Sequence, residues 1–436
     1  MSRANDRIKK KLEKNPIVEC NKIQNKYVPE LMEMFAAVKD PRNQSYIKYD
    51  VKTMIAQIYF KGIAGIESMQ EMTRVFNDEN AAANIYSFIE SKAQEMLPHG
   101  VTENEFLENL NPEELEKIQA EIVRTLIRRK TFNDARFLQQ WIVIIDATEL
   151  DESFVQKNEY YITRTYNRGT DNEFVKSHRS VLEAKIYFGN NLVCSIASET
   201  IENSDEYLNQ SDDAIKQDCE QKAFYRLAAK IKKLYPRLPI IILADGLYVS
   251  EPVMKTILDY GWNYIIRYKE GSAKSIADEF RALPEIEKVG SNIKYQNQIM
   301  YHDLDVNLIY FTEKKKEKTM EFAWITSIEI TKKNAEKLAN TGRLRWKIEN
   351  QGFNRQKHWQ GNLEHACSWD KTAQRNHYLI EQIADFVKQL YEYFYLEKNG
   401  IKKKQKNISS ELLASFGRQL TISEDTNIIL NESALS

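Results

Sequence analysis

Apolar and polar positions fall into distinct regimes along the chain. Up to about residue 135 the apolar residues recur at helical spacing. Val28–Val38 (VPELMEMFAAV) and Tyr49–Gly62 (YDVKTMIAQIYFKG) each predict a helix, with breaks at Gly65, Asn77 and Pro98. Asn111-Pro112-Glu113-Glu114 reads as a cap followed by Pro at the first helical position. The helix it opens ends in a basic cluster of Arg124, Arg128, Arg129 and Lys130. At Trp141 the period changes. WIVIIDATEL is an unbroken apolar run closed by an acid, the pattern of a buried central strand with Asp146 at its C-terminal end.

Further strand signals follow. Ser180 to Ile201 contains two strand-like runs around Gly189-Asn190-Asn191, a hairpin signal. Ser204 to Tyr235 reads as one long amphipathic helix. LPIIILADGLYV (Leu238 to Val249) is a second buried strand ending in an acid, Asp245. A helix over Ser250–Tyr260 and a strand over Trp262–Tyr268 come next. Strand, hairpin, helix, strand, helix, strand is the order of a mixed α/β layer, in which ligand sites gather at the carboxyl ends of strands. Either aspartate, taken alone, is as readily a turn cap.

Residues 271–330 break the pattern. A helix over Ser275–Leu283 leads into alternating runs that predict a β-rich insertion separate from the main sheet, with a charged tip at Glu313–Lys318. That tip reads as a solvated turn, with phosphate contact by its lysines as the alternative. Helix resumes from Asn334 to Trp359 and again from Tyr378 to Phe394. Glu397 to Ser436 is polar, and Lys402–Lys406 reads as a solvated linker, with DNA contact as the alternative. The resulting division is a helical N-terminal domain over 1–135, whose cationic edge suits DNA binding and a plain helical scaffold equally, and an α/β domain over 136–270 and 331–395, the candidate catalytic domain. The β-rich insertion occupies 271–330 and a C-terminal tail 396–436.

Composition narrows the class. A chain of 436 residues accommodates two or three domains. Its net charge of −1 announces no nucleic-acid partner, although a local surface can be basic under a neutral total. Cys20, Cys194, Cys219 and Cys367 are far apart and form neither a zinc motif nor a disulfide framework, which fits a reducing, cytoplasmic setting. The first residues lack a signal-peptide core, and no apolar run reaches the length of a membrane span, so a soluble protein is expected. Phosphate-binding Gly loops and Ser or Cys nucleophile signatures are absent.

The candidate chemistry centres on GRLRWKIENQGFNRQKHW (Gly342 to Trp359). At regular α-helical spacing Arg345, Glu349 and Gln356 share a line, flanked by Leu344 and Ile348 on one side and Trp346 and Phe353 on the other. Gly352 leaves room for a close approach. The bland reading is an Arg345–Glu349 support pair. The alternative joins Glu349 to the strand-end acids Asp146 and Asp245, whose mutual repulsion would call for cations. Oxygen-only ligands favour Mg²⁺ or Mn²⁺, and two such ions suit phosphodiester displacement. Basic residues available to hold DNA are Arg345, Lys357 and Arg355 near Glu349, Lys230 and Lys233 ahead of Asp245, and Arg128 and Arg129 in the helical region. Between Thr341 and Tyr378 seven basic residues face three acids, a local excess of four. Trp346 is expected in the core, with stacking on a displaced base as the alternative.

The strings IIDATEL, KQDCEQKAFYRLAAKIKKLYPRLPIIILADGLY and RLRWKIENQGFNRQKHWQGNLEH resemble bacterial insertion-sequence transposases of the DDE type, over about Asp40 to Phe394. More narrowly, they are similar to the branch with an RNase H-like catalytic domain and a β-strand insertion between the second Asp and the Glu. The resemblance implies an RNase H-like mixed sheet flanked by helices, and a catalytic, metal-binding triad of Asp146, Asp245 and Glu349. That branch carries a Tyr-Arg-Glu-Lys signature around its glutamate. Arg345 and Glu349 match it, whereas Gly342 stands at the Tyr position and Gln356 at the Lys position, with Lys357 next to it. The implied activity is binding of terminal inverted repeats, cleavage at the element ends and joining of the 3′-hydroxyl to target DNA, with two Mg²⁺ or Mn²⁺ ions. The active complex would be a dimer on paired DNA ends, working at the nucleoid. A metal-dependent nuclease on the same fold, or a non-catalytic DNA-binding descendant, are the alternatives.

Overall fold

The computed structural model describes residues 15–208, 217–283, 285–315 and 318–418, and among these residues seven α-helices precede the first strand. They are α1 (Pro16–Tyr27), α2 (Leu31–Ala36), α3 (Val51–Ala64), α4 (Met69–Phe76), α5 (Glu79–Ile89), α6 (Gly100–Asn109) and α7 (Pro112–Arg128). The expected helix over Val28–Val38 is shorter, because Pro29 keeps Val28 out of helical geometry and separates α1 from α2. The caps are local chemistry. The Asp50 carboxylate accepts from Thr53 N at 2.7 Å and Asn111 Oδ1 accepts from Glu113 N at 3.1 Å, while α3 ends on Gly65 in the left-handed region.

Ten strands among the described residues form one sheet. In chain order they are β1 (Trp141–Ser153), β2 (Ile162–Tyr166), β3 (Phe174–Tyr187), β4 (Val193–Ile201), β5 (Ile240–Ala244), β6 (Asn263–Tyr268), β7 (Glu287–Val289), β8 (Ile293–Tyr301), β9 (Leu304–Lys315) and β10 (Lys318–Thr326). The spatial order is β2-β3-β1-β5-β6-β10-β9-β8-β7, with β4 also paired to β3. β5 is central and wholly buried, parallel to β1 on one side and to β6 on the other. It accounts for the unbroken apolar runs. The β3–β4 hairpin turns through Gly189, Asn190 and Asn191, all at positive φ, which is why Gly and Asn occupy them. This is a mixed sheet flanked by helices, as expected.

Two expectations are corrected in this region. The inserted strands are not separate from the main sheet: β10 pairs antiparallel with β6, and β9, β8 and β7 extend it outward. The edge of β6 would otherwise present unpaired backbone groups. Residues 313–315 and 318 of the charged tip belong to strands, and 316–317 lie outside the described residues. The long helix expected over Ser204–Tyr235 is also interrupted. After a short turn at Asp205–Leu208, helix α8 begins only at Glu220 and runs to Leu234, and residues 209–216 are outside the described set. Just before α8, side chains compete for the backbone. Gln217 Oε1 accepts from Thr163 N at 2.8 Å, and the Asp218 carboxylate accepts from Glu202 N and pairs with Arg226.

After β5 come α9 (Glu251–Asp259) and, after β6, α10 (Lys274–Ala282); α11 (Ala335–Gly342) follows β10. From Arg343 the helical path changes gauge: a 3₁₀ turn at Arg343–Arg345, α at Trp346–Ile348, a π turn at Glu349–Phe353 and α again at Asn354–His358. Two further helices are α12 (Lys371–Tyr391) and α13 (Gln405–Phe416). α12 is the centre of the helical core, packed against α1, α3, α6 and α7. The expected polar tail over 396–436 therefore contains a docked helix. Ile408, Leu412 and Phe416 recur every four residues and are buried, with Phe416 against Phe60 and Phe76. Residues 419–436 lie outside the described set.

By packing, the chain forms two units: Met1–Thr131, Leu150–Asn158 and Phe353–Ser436 in one, Phe132–Glu149 and Glu159–Gly352 in the other. The division differs from the expected one. The insertion belongs with the sheet because it shares its hydrogen bonds, and residues after Gly352 belong with the helices because α12 is their core.

Candidate active site

Asp146 stands on β1 two residues beyond Ile144, the last residue paired with β5, so the parallel ladder has ended although the strand continues to Ser153. Asp245 directly follows β5, and its Oδ1 accepts from Leu247 N at 2.8 Å, capping the turn Gly246–Tyr248. Its role as a turn cap is thus real, and it uses one oxygen. Glu349 opens the π turn, half-buried. Wide turns of this kind add a residue to the helical path and are frequent at functional sites.

Arg345 is bound to the first of these acids. Its guanidinium donates to Asp146 Oδ2 at 2.8 Å, so the expected support pair with Glu349 gives way to a long-range one. Burial pushes the Asp146 carboxyl up to about 6; Arg345 opposes that rise, and the charges of Asp245 and Glu349 add to it. Each of the other two acids therefore acts on Asp146 through space. Among the described residues, no group of three or more His, Cys, Asp or Glu side chains is arranged to hold a metal ion. The donor set itself is carboxylate oxygen, partly buried and mutually repelling, which suits a hard divalent cation.

Two further side chains join this group. Glu220, at the start of α8, accepts the Tyr248 hydroxyl at 2.6 Å. Burial raises its carboxyl, Asp245 and Asp146 add to the rise, and Arg345 and the Tyr248 hydrogen bond counter it. Arg267 on β6 donates to the carbonyl of Ala323 at 2.8 Å, with Phe322 and Trp324 beneath its guanidinium at 5.2 and 5.6 Å. Burial and the like charge of Arg345 lower its pKa. Neither residue was legible beforehand. The KQDCEQKAF block contains Glu220, but no spacing links it to the acids, and Arg267 looks like any strand arginine.

The departures from the Tyr-Arg-Glu-Lys signature have structural causes. A Cβ on Gly342 would lie 2.6 Å from the ring atoms Cε2 and Nε1 of Trp324, so the indole occupies the space of a side chain there. Gly352 meets the stem of Lys185, whose Cε would be 3.1 Å from an added Cβ, the close approach expected at that glycine. The π turn breaks the regular spacing, so Gln356 does not continue the line of Arg345 and Glu349. It is buried, with Nε2 2.8 Å from Gln382 Oε1 and 3.1 Å from Asp385 Oδ2.

Several basic candidates are already engaged. Arg355 is buried between Asp385 (3.3 Å) and Glu392 (2.6 Å) and is a core ion pair, not a surface for DNA. Lys357 pairs with Glu364 at 2.8 Å, and Lys230 with Glu199 at 2.7 Å. Arg128 is exposed and pairs with Glu121; Arg129 is exposed and lies over Tyr27 at 5.9 Å; Lys233 is exposed. The local excess of four positive charges is offset by distant carboxylates, including Glu313 on Arg343 and Glu116 on Arg375. Trp346, expected in the core, is 55% exposed with Arg345 over its ring at 4.8 Å.

Residues 217–380 match the family described as "Transposase DDE domain". The matched segment contains Glu220, Asp245 and Glu349, while Asp146 precedes it. No curated protein matches the sequence. In three dimensions the chain is similar to a piggyBac transposase synaptic complex with hairpin DNA solved by cryo-EM, at 11% identity and a TM-score of 0.42, covering 97% of this chain and 85% of that one. None of the described helices is long and apolar enough to cross a membrane.

Proposed function

We propose that the protein is a DNA transposase that binds the terminal inverted repeats of its element, cleaves at the ends and joins the freed 3′-hydroxyl to target DNA. The observation that carries this reading is the ion pair of Arg345 with Asp146 at 2.8 Å, just past the end of the β1–β5 ladder, and the upward push of the Asp245 and Glu349 charges on the Asp146 carboxyl supports it. The match of residues 217–380 to a transposase DDE domain supports it. Asp146, Asp245 and Glu349 would hold divalent ions, Mg²⁺ or Mn²⁺ and two in number. Bound there, such ions supply activation of the attacking oxygen and stabilisation of the leaving one.

The chain's own residues position the DNA. Arg345 is bonded to Asp146, and a strand phosphate entering the site competes for its guanidinium, leaving the carboxylate to its other partners. Arg267 is held by backbone carbonyls and aromatic faces and presents a second cation close to Arg345. Trp346, exposed and covered by Arg345, offers a face to an unstacked base. Lys233, Arg128 and Arg129 are surface cations for flanking DNA, and Lys357 reaches DNA only by leaving Glu364. Paired ends call for two copies in the active complex, acting in the bacterial cytoplasm at the nucleoid.

The test is incubation with DNA carrying the sequences that flank the coding region, with Mg²⁺ or Mn²⁺, mapping cuts to the nucleotide. Metal-dependent cleavage at defined ends is expected, and Asp146→Ala or Glu349→Gln abolishes it in protein that still melts cooperatively. Undiminished cutting in either variant removes the mechanism. A cut without strand joining would favour a nuclease, and a gel shift without any product a DNA-binding protein.

A further inference from the structure

The first turn of α8 grips the Asp245 turn at three points. The Tyr248 hydroxyl donates to Glu220 Oε1 at 2.6 Å, Gln221 Nε2 donates to the Leu247 carbonyl at 2.9 Å, and the rings of Phe224 and Tyr248 meet edge-on at 5.5 Å. Tyr248 is fully buried and closes the turn that Asp245 caps. The orientation of Asp245 is therefore set by α8 as well as by β5.

The chemistry of the Tyr248 partner is informative. A tyrosine hydroxyl needs only an acceptor, and a glutamine amide would serve. A carboxylate beside Asp146 and Asp245 instead adds Coulomb repulsion in a partly dehydrated place. Arg345 and the Tyr248 hydroxyl offset part of that repulsion, and a divalent cation at the neighbouring acids would offset more of it. We propose that Glu220 is a positioning residue of this active site: through Tyr248 it fixes the Asp245 turn, and its charge adds to the field that draws a divalent cation to Asp146, Asp245 and Glu349. Groups just outside a metal's ligands orient them, and losing one typically weakens metal affinity or activity about 10–100-fold.

The inference rests on the transposase reading, and the experiment separates the two. Mn²⁺ binding is measured by electron paramagnetic resonance of the free ion, alongside end cleavage, for the full chain and for Glu220→Gln and Tyr248→Phe. Glu220→Gln keeps an acceptor for Tyr248 and removes only the charge. It is expected to weaken Mn²⁺ binding on the order of 10-fold or more, with its metal-free melting temperature unchanged or raised by relief of repulsion. Tyr248→Phe keeps the charge and loosens the turn, and is expected to slow cleavage at saturating Mn²⁺. If Glu220→Gln binds Mn²⁺ and cuts within about twofold of the unmodified chain, the inference is overturned. Should Tyr248→Phe lose its cooperative melt, Glu220→Gln decides alone. Failure of the unmodified chain to bind Mn²⁺ or cut would instead overturn the transposase reading itself.

Discussion

Replacing Gly342 by alanine separates two opposing effects of known sign. Gly342 ends a helix at ordinary helical dihedrals, so by propensity alone alanine should stabilise it by about 1 kcal/mol. The added Cβ, however, would sit 2.6 Å from the indole of Trp324. That ring is 2% exposed, lies under the Arg267 guanidinium and stacks on Phe322 at 6.0 Å, so it has little freedom to retreat. Overpacking of a tight core costs about 1–3 kcal/mol. We therefore expect a net loss of up to about 2 kcal/mol, which for a unit of this size lowers its melting transition by up to roughly 8 °C. Calorimetry reads the shift. The same steric account requires coupling: Gly342→Tyr should be far less harmful on a Trp324→Ala background, with an interaction energy above about 1 kcal/mol. A rise in melting temperature for Gly342→Ala, or simple additivity of the two sites, would refute the argument that the Trp324 indole fills the space beside Gly342.

Two other outcomes follow from charge placement. Asp146 has its carboxyl raised from 3.8 to about 6, so the folded state holds a proton that the unfolded state has released between those values. Stability of the metal-free protein should fall as pH rises from about 4 to about 6, by at most about 3 kcal/mol. Urea unfolding in chelator should detect that step and find it missing in Asp146→Asn; an unchanged step in the variant would assign it elsewhere. Arg355→Met leaves Asp385 and Glu392 without their buried cation and should lose about 3–5 kcal/mol by the same assay. Comparable stability with weakened DNA binding would return Arg355 to the DNA surface.

Legibility varied with the range of the physics involved. β5 was plain because a five-residue apolar run between a proline turn and an acid is a purely local pattern, as was the Gly189-Asn190-Asn191 turn. α13 was missed although Ile408, Leu412 and Phe416 keep a helical period, since the surrounding lysines lower the mean hydropathy. The break before α8 was missed because Gln217 and Asp218 use their side chains on distant backbone. At the site, Asp146 and Asp245 were visible as acids closing apolar strand runs and Glu349 as an acid on a helical path, whereas the Glu220–Tyr248 bond and Arg267 depend on contacts that no spacing encodes.

What the sequence by itself determined is the order of strands and helices, the position of Asp245 at the end of a buried strand, and the placement of Arg345 and Glu349 on one helical path. Those features follow from periodicity, caps and turn residues, which act over a few bonds. Only the tertiary structure decided which charges are spent on one another. Arg345 goes to Asp146 and Arg355 to Asp385 and Glu392, and the π turn at Glu349 takes Gln356 out of line. Coulomb energy and close packing depend on separation through space, and separation through space is what folding sets.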